Sequence, residues 1–220
     1  MREIFRKNKV FFIPYILLFL VSHMVILSST KGELHRALTA SHHKFSDQVF
    51  STITWLGHGS IILLVAAILI CMRIRWSVLI VSVFALSGLT VQILKRFVFF
   101  EAQRPKLYFQ GKYDIHVVSG VDLHSFFSFP SGHTASAFGL FLCLILITRN
   151  TFLKSIYFLL AVLTGYSRVY LSQHFLVDVV YGSLVGIIFS VSCFIYIERI
   201  NNNWIDSSLQ AYLKRSHDQP

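Results

Sequence analysis

Charged side chains are scarce in this sequence of 220 residues: they make up 14% of the chain, whereas 55% of the residues are hydrophobic. This composition excludes an ordinary soluble domain and is typical of a protein that crosses a membrane several times. Acidic residues are rarer still, with 10 against 20 lysines and arginines. Because the basic residues mostly flank apolar runs, membrane topology and anionic lipid headgroups explain them better than nucleic acid does.

Cysteine is also rare, and its three positions, Cys71, Cys143 and Cys193, all lie inside apolar runs. This arrangement indicates buried thiols and excludes a disulfide framework or a cysteine-based zinc pattern. Internal repeats and low-complexity segments are absent from the sequence. We therefore predict one membrane domain that spans residues 1–220.

Six apolar runs predict an all-α, polytopic membrane protein with six transmembrane helices, because about 20 apolar residues cross a bilayer. The first run lacks an A-x-A cleavage site, which favours an uncleaved helix over a signal peptide. Six spans place both termini on one side, which carries eleven lysines and arginines against nine on the other. This bias favours cytoplasmic termini in the inner (cytoplasmic) membrane. The predicted spans are about 10–27, 52–72, 76–100, 132–148, 152–171 and 175–197, followed by a polar tail at 198–220.

Several histidines lie outside the apolar runs. In the polar segment 31–50 no acidic or cysteine partner stands at metal-ligand spacing, so a solvated polar face is favoured over a metal site for His35, His42 and His43. The loop 106–129 precedes a candidate site and could contact a lipid headgroup. We favour exposure to solvent over contact with a headgroup for four residues of this loop, Asp114, His116, Asp122 and His124.

The stretch 167–178 places Arg168, His174 and Asp178 between the last two apolar runs. Charged groups at such a boundary indicate function, because burying one at a helix centre costs about 2.5–3.5 kcal/mol. His174 and Asp178 are four residues apart and share a helix face, so the carboxylate can orient the imidazole and leave its other nitrogen basic. Arg168 converges with His174 only if one helix ends near Tyr170 and the next begins near His174. We therefore predict a tight hairpin tip.

The predicted topology brings the end of the third span, the start of the fourth, the end of the fifth and the start of the sixth together on the non-cytoplasmic face. Several cations around one point match a phosphate, and a helix start adds backbone N–H groups. The candidate residues are Lys95, Arg96, Arg104, Ser131, Gly132, His133, Arg168, His174 and Asp178.

Two histidines, one of them oriented by a carboxylate, suit a two-step nucleophilic reaction. His174 would attack phosphorus, while His133 would protonate the departing oxygen and later deprotonate a water. The cations would stabilise the transition state, a task that can replace a metal ion. The sequence has no carboxylate cluster for Mg²⁺ and no Cys/His ligand set at the site, so we expect neither a metal nor another cofactor.

The motif Pro130-Ser131-Gly132-His133, followed by Ser167-Arg168, His174 and Asp178, resembles the second and third signature motifs of the type 2 phosphatidic acid phosphatase (PAP2) family. That superfamily also contains the vanadium haloperoxidases. The resemblance implies a PAP2-like helical bundle that acts through a phosphohistidine on His174, with His133 as acid and base. It also implies phosphate binding by Arg104, Arg168, Ser131 and Gly132.

The first motif departs from the family pattern of a lysine, six residues and then Arg-Pro. Here eight residues separate Lys95 from Arg104, and seven separate Arg96 from it. If the helix ends or bulges at 98–101, Lys95 fills the position, and this reading is favoured. If the helix stays regular, Arg96 fills it.

The predicted function is removal of a terminal phosphate from a phospholipid, a polyprenyl diphosphate or a lipid A-type substrate. A lipid-to-lipid phosphotransferase of the same family would use the same residues. A non-catalytic lipid transporter or binding protein is disfavoured because both histidines and Asp178 are present. The expected partners are a membrane lipid phosphate and the bilayer, with no nucleic acid and no obligatory protein partner.

Overall fold

A computed structural model describes residues 1–211, and in this range the chain is helical with no strand. The long helices coincide with apolar runs of the sequence, because in a bilayer the backbone groups must be satisfied within the segment itself. The α-helices are α1 (Arg2–Lys7), α2 (Lys9–Ser28), α3 (Lys31–Leu38), α4 (Lys44–Ile53), α5 (Gly59–Met72), α6 (Ile74–Ile93), α7 (Pro105–Phe109), α8 (Gly132–Ile147), α9 (Thr151–Tyr170) and α10 (Leu176–Glu198).

Four helices, namely α2, α9, α10 and α6 with its continuation to Val98, are long and apolar enough to cross a membrane. A fifth span results if α4, the 3₁₀ turn Thr54–Gly57 and α5 count as one, although they bend by 56°. The remaining predicted span, the fourth in chain order, is α8, which has 16 residues and falls short of a full crossing. The six-span count therefore stays a prediction, while the predicted boundaries of the long spans agree with the helices to within about two residues.

The core of the described chain is built around α8, which packs against α6, α9 and α10. One apolar cluster joins α8 to α5, α6 and α10 through residues such as Ile80 and Leu140. A second joins α8 to α2 and α9 through residues such as Phe11 and Leu142. This central position explains why the short α8 has a nearly continuous buried surface, and it holds the first turn of α8 firmly among the ends of its neighbours.

The predicted polar tail is partly docked on the bundle. Ile205 is buried, and the Asp206 carboxylate accepts hydrogen bonds from Arg73 and Arg75 at 2.6 Å. These guanidinium groups lower the pKa of Asp206 to about 2. The remainder of the predicted tail, residues 212–220, lies outside the described residues.

The prediction of a solvated polar face for 31–50 is wrong for His35. This side chain is only 1% exposed and packs against the rings of Phe109 and Phe175. Its Nε2 lies 3.3 Å from the Ser172 hydroxyl, and burial lowers its pKa to about 4. The sequence could not show this, because the partners come from α7 and the α9–α10 connection.

Candidate active site

The connection between α9 and α10 forms the tight hairpin tip that the sequence predicts. Helix α9 ends at Tyr170 and α10 begins at Leu176. The reversal uses a left-handed residue, Ser172, with φ of 52°. The backbone N–H groups of Gln173 and His174 both donate to the Arg168 carbonyl at 3.0 Å. The tip therefore holds Arg168 and His174 close together, although on one regular helix a separation of six residues would point them in different directions.

His174 is oriented by Asp178. Its Nδ1 lies 3.3 Å from Asp178 Oδ2, and both side chains are buried. Because a carboxylate only accepts, Nδ1 carries the proton and Nε2 keeps its lone pair. The same carboxylate accepts from the Phe175 N–H at 3.0 Å and from the Ser128 hydroxyl. Burial, followed by the charges of Arg104 and Lys95, holds the pKa of His174 well below its usual value, which keeps the imidazole neutral.

Arg104 connects the loop after α6 to the hairpin tip. Its Nε donates to the Phe126 carbonyl at 3.0 Å, and one terminal nitrogen lies 3.2 Å from both the carbonyl and the side-chain oxygen of Gln173. The guanidinium is buried, so these acceptors replace water around part of it. Arg104 and His174 are thus held next to each other through Gln173.

Arg168 is buried with unused hydrogen-bonding capacity. One terminal nitrogen donates to the Thr54 hydroxyl at 2.6 Å, whereas Nε has no partner among the described residues. A buried donor without an acceptor is unfavourable, and in a native structure it marks a place where a ligand or water belongs. A bound anion with several oxygens would accept the hydrogen bond that Arg168 Nε can donate beside the hairpin tip.

Helix α6 ends in a π-helical turn, Leu94–Val98, which is the local irregularity that the displaced first motif requires. With this turn the helix ends at Val98, within the predicted range 98–101. A π turn inserts an extra residue and rotates the side chains that follow, and such turns are frequent at functional sites. Lys95 is buried and lines the cavity described below, whereas Arg96 is exposed. The geometry therefore selects Lys95 over Arg96 as the residue that faces the site.

The first turn of α8 supplies backbone N–H groups. Ser131 is the N-cap, and its Oγ accepts from the Thr134 hydroxyl at 2.9 Å and from the Thr134 N–H at 3.4 Å. Gly132 and His133 follow in the first turn, where N–H groups lack partners inside the helix. A Cβ on Gly57 would lie 2.6 Å from the His133 carbonyl oxygen, so the turn before α5 can approach this helix start only as glycine.

These elements enclose a cavity of about 730 Å³. The predicted residues that line it are Lys95, Arg104, Gly132, His133, Arg168 and His174. Asp178 stands behind His174, and Ser131 is fully buried as the cap of α8. Among the described lining residues Asp122 is the single carboxylate.

Sequence reasoning missed several polar partners of the site. Thr54 holds Arg168, Gln173 holds Arg104, and Ser128 holds Asp178. His58 lines the cavity with its ring centroid 6.0 Å from that of His133. Of these residues Gln173 alone had a signal, because it lies inside the charged stretch before His174. Asp122 and His124, predicted as solvated loop residues, also line the cavity.

The fold and the site together define a class of protein. Apolar helices of membrane length carry a cavity in which three cations, a helix start and an oriented histidine converge. Such a set fits a phosphate ester, because arginine and lysine bind phosphate oxygens and a neutral imidazole attacks phosphorus. These features define an integral membrane phosphatase.

Comparison with known proteins gives the same class. The model of the PAP2 superfamily matches residues 76–202, more than half of the chain, and the protein belongs to this superfamily of phosphoric ester hydrolases. The chain is 28% identical to phosphatidylglycerophosphatase B of Bacillus subtilis (strain 168) over 80% of its own length and 88% of that protein. It is 40% identical to the lipid A 4'-phosphatase of Bacteroides thetaiotaomicron, over 27% of each chain.

Two solved structures share the fold. The crystal structure of Aquifex aeolicus LpxE superposes with a TM-score of 0.66 at 30% identity, covering 74% of this chain and 94% of LpxE. A transmembrane PAP2-type phosphatidylglycerolphosphate phosphatase from Bacillus subtilis gives 0.64 at 26% identity, covering 86% and 97%. The chain is therefore an integral membrane lipid phosphatase of the PAP2 type.

Proposed function

We propose that this protein removes the terminal phosphate of a membrane lipid through a covalent phosphohistidine on His174. The observation that supports this most directly is the orientation of His174. Its Nδ1 is engaged by Asp178, while its ring lines the cavity beside Lys95, Arg104 and Arg168. The lone pair on Nε2 is therefore free to attack a phosphorus atom that these cations hold.

In the first step Nε2 of His174 forms a bond to phosphorus while the bond from phosphorus to the lipid oxygen breaks. His133 gives its proton to that oxygen, which leaves as the lipid alcohol, or as the lipid monophosphate when the substrate is a diphosphate. In the second step a water attacks phosphorus, His133 takes a proton from it, and the bond to Nε2 breaks. Inorganic phosphate and free His174 are the products.

Phosphate binding is assigned to the groups with free donors. Arg168 Nε has no partner in residues 1–211, and Lys95 Nζ makes no hydrogen bond there. Arg104 and the N–H groups in the first turn of α8 complete the set. These donors stabilise the negative charge on the equatorial oxygens in the transition state. Ser131, whose Oγ caps α8, contributes by positioning this turn.

The surroundings of the cavity favour a lipid over a soluble ester. Large aromatic side chains remain exposed after α6 and before α8, and aromatic residues favour the headgroup boundary of a bilayer. A phosphate held in the cavity can stay joined to tails that remain in the membrane. With cytoplasmic termini, the site lies on the non-cytoplasmic face. The exposed aromatic residues are Phe97, Phe99, Phe100, Tyr113, Phe126 and Phe127.

The test uses purified protein in vesicles with phosphatidic acid, phosphatidylglycerophosphate, a polyprenyl diphosphate and a lipid A phosphate. The wild type should release inorganic phosphate from at least one of them, and His174→Ala should lose this activity while it stays folded. His43→Ala is the matched control, because His43 is exposed outside the cavity. Wild-type turnover by folded His174→Ala would contradict the mechanism. If kcat/KM were the same for a soluble phosphate ester as for the lipid phosphates, the proposal of a lipid substrate would be contradicted. Transfer of the phosphoryl group to a second lipid without release of free phosphate would indicate a phosphotransferase.

A further inference from the structure

A second cluster of ionisable side chains lies outside the catalytic cavity. His42 precedes α4, Asp47 is in the first turn of α4, and His116 comes from the long loop between α7 and α8. One ligand atom from each lies within 4.8 Å of the others. None of the three lines the cavity that holds His174. The cluster therefore needs an explanation separate from phosphate chemistry.

The spacing of these atoms matches a metal centre. His116 Nε2 lies 3.0 Å from Asp47 Oδ2, and His42 Nδ1 lies 3.8 Å from Asp47 Oδ1. A tetrahedral zinc ion with bonds of about 2.0–2.1 Å places its ligand atoms about 3.3 Å apart, whereas one ligand atom from each of these three side chains lies within 4.8 Å of the others. Small side-chain movements would bring all three atoms to coordination distance.

An unsatisfied nitrogen supports the same reading. The distance of 3.8 Å is too long for a hydrogen bond, and His42 Nδ1 is buried with no partner in the described part of the chain. The rings of His42 and His116 also stack, with centroids 4.0 Å apart. Each imidazole would bind an ion through the in-plane lone pair of a ring nitrogen, so the rings would turn out of this stack as both nitrogens approach the ion. The carboxylate alone leaves His42 Nδ1 unpaired.

The surroundings orient the carboxylate as the outer partners of metal ligands do. The Tyr170 hydroxyl donates to Asp47 Oδ1 at 2.7 Å, and the His42 ring packs on the Tyr170 ring. A hydrogen bond of this kind to a ligating side chain holds that ligand in one orientation. His116 is 38% exposed, which leaves a path for an ion and a water in the fourth position.

We propose that His42, Asp47 and His116 bind a divalent transition-metal ion, with zinc as the fitting occupant of two imidazoles and one carboxylate. The ion would join the loop to α4 and, through Tyr170, to the end of α9. Val118, two residues after His116, packs on Tyr170 and Leu171. Residues 119–122 then form part of the cavity wall. The site thus anchors the loop that closes one side of the active site, and takes no part in the reaction itself.

Metal binding is measured on the purified full-length chain in detergent after a chelator has removed bound ions. Titration with Co²⁺ should give the visible absorption of a tetrahedral site, one ion per chain, and Zn²⁺ should displace it. His42→Ala and His116→Ala should each weaken binding at least about tenfold, and the isosteric Asp47→Asn should do the same without a change of packing. His43→Ala is the matched control and should bind as the wild type does.

A second readout follows the loop. Trypsin can cut after Lys112, which is exposed four residues before His116. Zinc should slow this cut in the wild type and in His43→Ala but not in His116→Ala. Absence of stoichiometric binding to the wild type, or an unchanged affinity in both His116→Ala and Asp47→Asn, would overturn the proposal. Phosphatase activity enters neither measurement, so the result does not depend on the function proposed above.

Discussion

Replacing Asp178 by asparagine should remove most of the activity while preserving shape. The carboxylate has three donors around it: His174 Nδ1, the Phe175 N–H and the Ser128 hydroxyl. All three bind the same oxygen, Oδ2, so asparagine keeps them only by placing its single oxygen there. His174 Nδ1 then donates to a neutral amide oxygen, and the charge of the carboxylate is lost. The positive charge that develops on the imidazole when Nε2 attacks phosphorus therefore has no counter-charge beside it.

The expected loss is about 10³–10⁴-fold in kcat, the size seen when the aspartate behind a catalytic histidine is replaced by asparagine. At 1.36 kcal/mol for each tenfold change, this equals roughly 4–5.5 kcal/mol of transition-state stabilisation. KM should change little, because Asp178 stands behind His174 and the residues that hold phosphate are untouched. Ser128→Ala should cost less, because it leaves the carboxylate in place.

The assay is phosphate release from a lipid phosphate in vesicles, together with trapping of the phosphoenzyme by rapid acid quench. Asp114→Asn makes the same chemical change at an exposed loop position and should behave as the wild type does. Thermal unfolding confirms that each variant is folded. If folded Asp178→Asn kept its kcat within about threefold of the wild type, a shift below 1 kcal/mol, the argument that the Asp178 charge stabilises His174 during the reaction would be refuted.

Three further predictions concern binding, metals and topology. Lys95→Ala should lower kcat/KM about 10²-fold or more, because the Lys95 side chain lines the cavity. Arg96→Ala should change kcat/KM little, because the Arg96 side chain is exposed. The reverse order would assign phosphate binding to Arg96. Phosphate release should continue in EDTA, and loss in EDTA with rescue by Mg²⁺ would reveal a catalytic metal. Vanadate should inhibit, because it mimics the pentacoordinate transition state. In intact cells a cysteine at Tyr113 should react with an impermeant label and one at Asn150 should not, and the opposite result would invert the topology.

The α9–α10 hairpin tip is a part of the site that residue spacing alone predicts. His174 and Asp178 are four residues apart, and this separation alone predicts a shared helix face. The requirement that Arg168 join them predicts a helix end near Tyr170, where the structure has it. Both inferences depend on residues close in sequence, for which helix geometry is the main determinant.

The choice between Lys95 and Arg96 needed the structure. Two adjacent basic residues have similar chemistry, and a regular helix points them in directions that differ by about 100°. The π turn Leu94–Val98 contains both residues, and Lys95 lines the cavity whereas Arg96 is exposed. No residue type signals such a turn. The helix ends at Val98, within the predicted range 98–101.

The partners that hold the site lie far away in sequence. Thr54 reaches Arg168 across 114 residues, and Ser128 reaches Asp178 across 50. His116 meets Asp47 across 69, which is why the segment 31–50 had no visible ligand partner. Serine, threonine and histidine occur throughout loops, so their identity carries no information until a fold brings them together.

The sequence by itself determined the membrane class, the long helices and the residues of the two clear motifs. Hydrophobic run length and i, i+4 spacing act within one segment, and a bilayer leaves a segment few alternatives to a helix. Only the tertiary structure decided which basic residue enters the cavity, which neutral side chains hold the charged ones, and that His35 is buried while His42, Asp47 and His116 meet. Those outcomes depend on how separate helices and loops pack, because a buried polar group takes whichever partner the packing brings within hydrogen-bond distance.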